Sequence, residues 1–267
     1  MGMKYLDLTL STPAENLACD EALLDRCDED DGTEVLRFWE PQQHFAVVGY
    51  SNKVELEVNV EACRELGAPV LRRCSGGGTV LQGPGCLNYS LILRIDSDPA
   101  LQTVTGTNRF VMERNRAALE ALLARSSRRL SRDCGDKEAP LSKSEIRNPK
   151  SEINVRGHTD LAIGDRKFSG NAQRRKRHAV LFHGSFLLNF DIAMIEKTLR
   201  LPSKRPGYRA DRSHGEFLMN LKLSAKAVKT ALRQTWRVAD DWRGFRIART
   251  RELVERKYSA DAWNLKF

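Results

Sequence analysis

Apolar and polar positions alternate in several short stretches of the first hundred residues. "KYLDLTL", "EVLRFWE", "HFAVVGY" and "APVLRR" have the β-branched and aromatic content of strands, and "LNYSLILRI" is the strongest strand pattern. Segments in which apolar residues have helical spacing lie between these strands. Thr12 can cap a helix that begins at Pro13 and continues through "AENLACDEALLDRC", and "NVEACRELG" predicts a second helix that Gly67 closes.

The second half begins with the longest predicted helix, Arg109 to Leu123, which is followed by a connection rich in Ser, Arg, Asp, Pro and Lys from Ala124 to Lys150. "TDLAIGDRKFSGNAQRRKRHAVLFHGSFLLNFD" then alternates strands with tight turns, as in an antiparallel meander. "SAKAVKTALRQTW" and "RELVERKY" predict two further helices. The whole pattern predicts an α+β domain with a mixed or antiparallel sheet flanked by helices, residues 1–221, and a short C-terminal helical extension, residues 222–267.

Composition argues against a membrane, secreted, disulfide-rich or zinc-binding protein and favours an acidic partner. The 267 residues are 41% hydrophobic and 30% charged, and no run of about 18 apolar residues predicts a membrane span. The N-terminus lacks a basic segment followed by an apolar core, so we expect no secretory signal and a cytoplasmic location. Six cysteines without CxxC pairs fit neither a disulfide framework nor a zinc site. The net charge of +9 favours an acidic partner, whether nucleic acid, a phosphate compound or a protein surface.

The stretch "RRCSGGGTVLQGPGCLNYS", Arg72 to Ser90, is the most distinctive part of the first half. Its three successive glycines let the backbone adopt positive φ, so that consecutive N–H groups can form a nest for phosphate or carboxylate oxygens. A hairpin or bulge without a ligand is the competing interpretation, but the two arginines just upstream favour an anion site. Cys74 and Cys86 would need a base or a positive field to act as nucleophiles, and we expect both to be buried bystanders.

The second distinctive stretch runs from Gly157 to Gly184. Lys167 follows a tight turn here and precedes four small or polar residues, Ser169 to Ala172, which leave room for a ligand. Lys167 is either one of many basic residues on a solvated strand or a fixed cation near a reacting phosphate or carbonyl oxygen. In the second case, desolvation would make its charge effective.

Together the two stretches resemble the lipoate–protein ligase family, part of a wider group that contains biotin–protein ligases and octanoyl or lipoyl transferases. The matching pieces, in family order from Glu15 to Asp191, are "ENLACDEALL", "LRFWEPQQHFAVVGYSN", "RRCSGGGTVLQGPGCLNYS", "TDLAIGDRKFSGNAQ" and "HGSFLLNFD". Weaker similarity continues through "YRADRSHGEFLMNL". The resemblance covers about two thirds of the chain and implies a biotin/lipoate ligase-like catalytic domain.

The resemblance also implies an ATP-dependent lipoate–protein ligase that works through an acyl-adenylate. The lipoate carboxylate attacks the α-phosphorus of ATP, with Mg²⁺, to give lipoyl-AMP and pyrophosphate. A lysine of an acceptor lipoyl domain then attacks the acyl carbonyl. Neither step needs an enzyme nucleophile, so catalysis would rest on positioning and electrostatics.

Residue by residue, the resemblance implies that the catalytic Lys167 contacts the carboxylate oxygen and the α-phosphate. Asp160 is expected to face adenosine or Mg²⁺, and His183 to be a packing or hydrogen-bonding residue at the acyl tunnel. The remaining residues expected to bind substrate or ATP are Arg72, Arg73, Gly76, Gly77, Gly78, Thr79, Val80, Leu81, Asn88, Ser169, Gly170, Asn171 and Ala172.

The alternative within the wider group is an octanoyl or lipoyl transferase, which moves an acyl group between carrier proteins through a cysteine thioester and without ATP. Such enzymes need a cysteine just before the lysine motif or well after it. "SEINVRGHT" contains none and no cysteine follows Cys134, so the sequence favours ATP-dependent ligation. Cys134 lies in the predicted connection and could form the thioester, so the transferase stays an alternative hypothesis. Biotin ligation is disfavoured because both motifs follow the lipoate pattern.

The resemblance implies, as acceptors, the acidic lipoyl domains of 2-oxoacid dehydrogenase complexes or the glycine-cleavage H protein, whose encounter a basic rim would speed. A C-terminus shorter than in many bacterial ligases means that a separate accessory chain could supply a missing function. The run "RRKRH", Arg174 to His178, would also suit a nucleic-acid-binding module. No stacking motif, helix-turn-helix signature or zinc spacing accompanies the run, so we expect no nucleic-acid or membrane partner.

Overall fold

Eleven strands lie in the residues that the computed structural model describes, which are 2–29, 32–133, 152–202 and 204–267. They are β1 Lys4–Asp7, β2 Val35–Trp39, β3 Phe45–Val48, β4 Val70–Arg72, β5 Val80–Gln82, β6 Cys86–Arg94, β7 Ile153–Arg156, β8 Asp160–Ile163, β9 Arg166–Arg175, β10 Ala179–Leu187 and β11 Asp240–Asp241.

The strands form a large mixed sheet and a small one. The large sheet has the order β11-β1-β2-β6-β10-β9-β8-β7, and the small sheet has the order β4-β3-β5. β1 pairs in parallel with β2 and β11, and the pairs from β2 across to β7 are antiparallel. The predicted meander is therefore confirmed as β8, β9 and β10.

Nine α-helices lie in the same described ranges. They are α1 Pro13–Glu29, α2 Val54–Glu57, α3 Val60–Glu65, α4 Val104–Asp133, α5 Ile192–Thr198, α6 His214–Phe217, α7 Ala225–Thr235, α8 Ala248–Leu253 and α9 Asp261–Asn264. Thr12 and Glu15 form a reciprocal capping pair, because the Thr12 hydroxyl accepts from Glu15 N (3.2 Å) and the Glu15 carboxylate accepts from Thr12 N (2.8 Å). None of the helices in these ranges is long and apolar enough to cross a membrane.

The large sheet is covered on both faces, which explains why its central strands are so apolar. Leu36, Leu91 and Phe182 lie in one buried cluster together with side chains of α4 and α7. Their neighbours Val35, Ile92 and Leu181 lie in a second cluster with α1, as the two-residue period of a strand requires. β6 is buried over almost its whole length.

The structure corrects one predicted connection and adds a π-helical turn to one of the predicted C-terminal helices. Residues 124–133 continue α4 instead of starting an irregular connection, and residues 134–151, with Cys134, lie outside the described part of the chain. The two predicted C-terminal helices are confirmed as α7 and as α8 with the π-helical turn Val254–Tyr258. α7 contacts α4, and α8 contacts α1. A domain boundary at residue 221 stays a prediction.

Candidate functional site

The glycine loop joins β4 to β5 and is shaped by Arg73. Nε of Arg73 donates to Ser75 Oγ (3.0 Å), and its Nη2 donates to the carbonyl oxygens of Gly76 (2.8 Å) and Gly78 (2.7 Å). Burial lowers the pKa of Arg73 to about 10, so the guanidinium stays charged at neutral pH. The side chain expected to supply charge to a ligand thus also fixes the curvature of the loop.

Gly77 brings the loop close to two other parts of the chain. Its φ is +90°, a backbone conformation that side chains with a Cβ rarely adopt, and a Cβ here would lie 3.5 Å from Ala172 Cβ. A Cβ on Gly49 would lie 2.0 Å from the Gly77 carbonyl oxygen, which also accepts from Asn52 Nδ2 (3.1 Å). The loop therefore lies over β9 and against the segment that follows β3.

Arg72 has a structural role that differs from the expected ligand contact. Its side chain is fully buried, and Nη1 donates to the carbonyl oxygens of Gly49 (2.8 Å) and Asn52 (2.8 Å), while Nε donates to Trp263 O (3.1 Å). Asn264 Oδ1 accepts from the backbone N of Arg72 (3.0 Å). Because these donors are committed to backbone carbonyls, Arg72 fastens the C-terminal residues to the start of the loop.

A buried chain of polar contacts joins the loop to α1 through His183. Ser75 Oγ lies 2.6 Å from His183 Nε2, and Nδ1 of the same ring lies 3.4 Å from Asp20 Oδ2. Arg37 Nη1 donates to Asp20 Oδ1 at 2.5 Å. Burial by itself would raise the pKa of Asp20, but the Arg37 charge, and after it the His183 hydrogen bond, bring this pKa below its ordinary value. Ionised Asp20 therefore orients His183, and His183 holds Ser75.

Lys167 takes part in an ion pair. Its Nζ lies 2.7 Å from Asp160 Oδ1, and Tyr208 donates its hydroxyl to Asp160 Oδ2 at 2.8 Å. Burial, and after it the charge of Asp160, raises the pKa of Tyr208, so Tyr208 stays a neutral donor. A Cβ on Gly170 would lie 2.7 Å from Lys167 Nζ. Glycine at position 170 is thus what allows the lysine side chain to fold back over β9.

Asn171 and Asn88 bind neighbouring polar groups. Asn171 Nδ2 donates to Thr159 O (2.6 Å), and its Oδ1 accepts from Tyr89 OH (2.6 Å). Asn88 Nδ2 donates to Gln82 Oε1 (3.1 Å). These contacts fix the polar walls of the site, which agrees with the supporting role expected of Asn88.

The loop, the histidine and the lysine face one cavity of about 750 Å³. Apolar side chains that include Leu17, Trp39, Ile195 and Leu199 also line it, as an acyl chain would require. The predicted residues that line it are Arg73, Gly77, Gly78, Thr79, Val80, Leu81, Asn88, Asp160, Lys167, Ser169, Gly170, Asn171, Ala172 and His183. Arg72 and Gly76 are not among its lining residues.

The thiols of the described residues are not set up for nucleophilic attack. All five cysteines in those ranges are buried, and none lines the cavity. Burial raises the pKa of Cys74 and that of Cys86 to about 12 each, so both stay protonated at neutral pH.

Asp160 does not fit the Mg²⁺ site expected of it. One carboxylate oxygen is paired with Lys167 and the other accepts from Tyr208. In the described part of the chain, no group of three or more His, Cys, Asp or Glu side chains could hold a metal ion. Asp160 therefore acts here as the partner of Lys167 and Tyr208.

Several of the basic side chains at the tip of the β9–β10 hairpin have partners. Lys176 pairs with Asp25 (2.9 Å) and Glu29 (2.9 Å) of α1, and Arg175 Nη2 donates to Leu101 O (2.7 Å). The two carboxylates offset the charge of Lys176, and the carbonyl contact holds the Arg175 guanidinium against the protein.

A profile of the family described as lipoyl protein ligase A/B catalytic domain matches residues 12–235. The chain belongs to this family. Among its relatives in the ligase A/B family, octanoyltransferase LipM of Geobacillus kaustophilus is 28% identical over 288 residues, which cover 98% of each chain. Octanoyltransferase LipM of Bacillus subtilis is 27% identical over 291 residues, again with 98% of each chain covered.

Solved structures of the ligase A/B type confirm the α+β fold. Lipoate-protein ligase A bound with ATP is 25% identical, has a TM-score of 0.69 and is matched over 99% of each chain. A Thermoplasma acidophilum protein with bound lipoic acid is 24% identical, with a TM-score of 0.73 and coverage of 99% and 100%. A bi-partite lipoate protein ligase of the same organism, studied with its E2 lipoyl domain, is 22% identical, with a TM-score of 0.75 and coverage of 99% and 96%.

The comparisons correct the predicted ATP-dependent, acyl-adenylate-forming activity. Octanoyltransferases LipM from five bacteria are 26–28% identical to this chain over 98% of its length. The physical reason for the error lies in the two motifs. Backbone N–H groups and a lysine stabilise negative charge on an acyl oxygen whatever the leaving group is, so the motifs of the ligase A/B family do not distinguish an adenylate from a thioester.

The sequence patterns missed three side chains that the fold brings to this ligase A/B site. Asp20, Tyr208 and Arg209 come from α1 and from the turn Gly207–Arg209, far along the chain from both motifs. The sequence does contain a signal for Asp20, which lies among the apolar residues of "NLACDEALL". A carboxylate that is buried at such a position needs a partner.

Proposed function

We propose that this chain transfers an octanoyl or lipoyl group from a thioester donor to a lysine of a lipoyl domain, without ATP. The observation that carries the proposal is the meeting of the glycine loop, His183 and Lys167 at one cavity with apolar walls. The full-length similarity to octanoyltransferases LipM supports the octanoyl group and a transfer reaction. The thioester donor is the one that the resemblance to the wider group of transferases implies. The T. acidophilum ligase studied with its E2 lipoyl domain supports the acceptor.

The transfer is an aminolysis. The neutral amine of the acceptor lysine attacks the thioester carbonyl, the new C–N bond forms, the C–S bond breaks, and the departing sulfur takes up the proton that the nitrogen loses. Negative charge develops on the carbonyl oxygen in the transition state. Lys167 and the N–H groups of the glycine loop stabilise that charge.

Ion pairs and hydrogen bonds hold Lys167 and the glycine loop in position before the substrate binds. Lys167 is held by Asp160, which Tyr208 keeps in place, so the ammonium is already fixed and can donate another of its N–H groups to the oxyanion as it forms. The loop is held by Arg73 and by the Ser75–His183 contact. Little reorganisation is then required at the moment of reaction, and this preorganisation is the source of the rate.

The route of the acyl group depends on the only cysteine outside the described ranges. A two-step route through an enzyme thioester would need Cys134, since the five described thiols are buried. A Cys134→Ser variant separates the routes: direct transfer continues in the variant, and two-step transfer stops.

An intact-mass assay tests the proposal. An apo lipoyl domain is incubated with the full chain and octanoyl-carrier protein, and separately with the full chain, octanoate and ATP. Acylation of the domain by the thioester donor alone is expected. Acylation that requires ATP and the free acid would overturn it.

A further inference from the structure

Arg209 is buried in the wall of the cavity with part of its guanidinium unpaired. The residue keeps 4% of its possible exposure and lines the cavity. Nη2 is shielded from solvent and has no hydrogen-bond partner in the part of the chain that the structure describes. Buried polar groups are nearly always paired, and an unpaired charged donor is expensive, so this N–H group is one that a ligand would complete.

The guanidinium is held in one orientation. Nε of Arg209 donates to Arg212 O (3.2 Å), and the group lies 4.8 Å from the centre of the Phe217 ring. In return, Arg212 Nε donates to Arg209 O (3.0 Å). Tyr208, the preceding residue, is bonded to Asp160, the partner of Lys167. Through these contacts the unpaired side of Arg209 is fixed relative to Lys167.

Positive charge is in excess on this side of the cavity. Arg200, Lys204 and Arg205 line the cavity with Arg209. The carboxylates that line it are Asp20, Glu57 and Asp160. Asp160 is paired with Lys167, and Asp20 of α1 is paired with Arg37 of β2. Burial lowers the pKa of Arg209, and the nearby charges of Arg205 and Arg212 lower it further. An anion bound here would relieve that repulsion.

We propose that Arg209, flanked by Lys204 and Arg205, forms a subsite for the phosphate ester of the acyl donor. The inference rests on the proposed function, in which the donor is a thioester on a carrier protein. Such a thioester arm is pantetheine joined to its carrier through a phosphodiester, and a fixed guanidinium fork matches phosphate oxygens. Free phosphate and nucleotides share this chemistry, so the test must separate these sources.

A pair of donors tests the subsite. Octanoyl-pantetheine and octanoyl-phosphopantetheine differ only in the phosphate, and kcat/KM for transfer to a lipoyl domain is measured with each. We expect the full chain to favour the phosphorylated donor about tenfold, the gain that one charge-assisted hydrogen bond can supply. Arg209→Gln should remove the preference, and Arg209→Lys should keep part of it. Arg64→Gln removes a charge from an exposed side chain outside the cavity lining and should leave the preference intact.

Equal kcat/KM for the two donors in the unmodified chain, or a preference that survives Arg209→Gln, would overturn the subsite. Thermal melting of both Arg209 variants shows whether a lost preference reflects lost folding, and partial retention in Arg209→Lys would exclude that explanation.

Inhibition patterns identify the source of the phosphate. Inorganic phosphate should compete with octanoyl-phosphopantetheine and should not compete with octanoyl-pantetheine, because only the first donor needs the subsite. AMP is tested in the same way. If AMP inhibits more strongly than phosphate, and this difference disappears in Arg209→Gln, the subsite binds a nucleotide and the assignment to the donor arm is overturned.

Failure of the proposed function would look different from failure of the subsite. If neither donor is transferred, the proposed function fails, and the subsite is judged by the ³¹P NMR line width of inorganic phosphate. Broadening by the unmodified chain that is lost in Arg209→Gln supports the subsite, and equal line widths with both proteins overturn it.

Discussion

Nζ of Lys167 lies 2.7 Å from Oδ1 of Asp160, and the two side chains keep only 22% and 14% of their possible exposure. The pair is sheltered enough for its charges to act strongly and open enough for an acyl group to reach the ammonium. An oxyanion that forms beside Lys167 can accept from another N–H group of the ammonium while Asp160 keeps its ion pair.

Removal of the ammonium should stop transfer and leave the fold in place. We expect Lys167→Ala to lower kcat for acyl transfer by about 10²-fold or more, the usual effect of deleting an oxyanion donor. The measurement is the single-turnover rate of lipoyl-domain acylation, with circular dichroism as the check on folding. Lys226→Ala, at an exposed position of α7, is the matched control. A Lys167→Ala rate within about threefold of the unmodified rate would refute the oxyanion role.

A side chain at position 77 should disrupt the loop. Valine would have to adopt φ +90°, at a strain of about 1–3 kcal/mol, and its Cβ would lie 3.0 Å from Arg73 Nη2. We expect Gly77→Val to lower kcat/KM at least tenfold and to speed hydrogen exchange of the loop amides. Gly76→Ala is the control, because a Cβ there meets open space. Equal effects of the two variants would argue against the assigned loop conformation.

The Asp20–Arg37 pair should stabilise the protein over a defined pH range. Because the folded protein lowers the pKa of Asp20, the contribution is complete above the ordinary value of 3.8 and is lost as pH falls through the folded value. We expect Asp20→Asn to reduce the free energy of unfolding by about 3 kcal/mol at pH 7, since it leaves Arg37 buried without its counter-charge.

Urea denaturation of both proteins at a series of pH values measures this contribution. The difference between them should stay constant from neutral pH downward and shrink below 3.8. Asp165→Asn, at a side chain that is 69% exposed, should change stability little at any pH. An Asp20→Asn difference that grows as pH falls would contradict the ionised, paired state of Asp20.

The described cysteines should resist alkylation in the folded protein. The thiols of Cys74 and Cys86 have a pKa of about 12, so almost no thiolate is present at pH 8, and burial blocks access as well. We expect iodoacetamide at pH 8 to leave Cys19, Cys27, Cys63, Cys74 and Cys86 unmodified and to react with them after denaturation. Peptide mass spectrometry gives the result, and native-state labelling of Cys74 or Cys86 would show that these thiols are reactive.

Local patterns were sufficient for most of the longer strands and helices and for the two motif segments. The glycine loop and the Lys167 segment were predicted because each is a short, unusual combination of residue types. The structure places both at one cavity. β6 and β10 were predicted because burial on both faces leaves a nearly continuous apolar run.

Long-range contacts account for what the sequence did not reveal. Asp20 and His183 are 163 positions apart, and only the packing of α1 on the sheet brings them together. Arg72 and Arg73 look equivalent in sequence, yet one binds C-terminal backbone carbonyls and the other shapes the loop. The leaving group of the reaction was predicted wrongly for a related reason, since the charge-stabilising groups are common to both kinds of acyl donor.

We propose that acyl transfer by this chain occurs without ATP. The most direct measurement is the rate at which octanoyl-carrier protein acylates a lipoyl domain in a preparation depleted of nucleotides, with and without added ATP, followed by intact mass. We expect full acylation at the same rate in both samples and a large loss of rate in Lys167→Ala. No acylation from the thioester, together with acylation from octanoate and ATP, would contradict it.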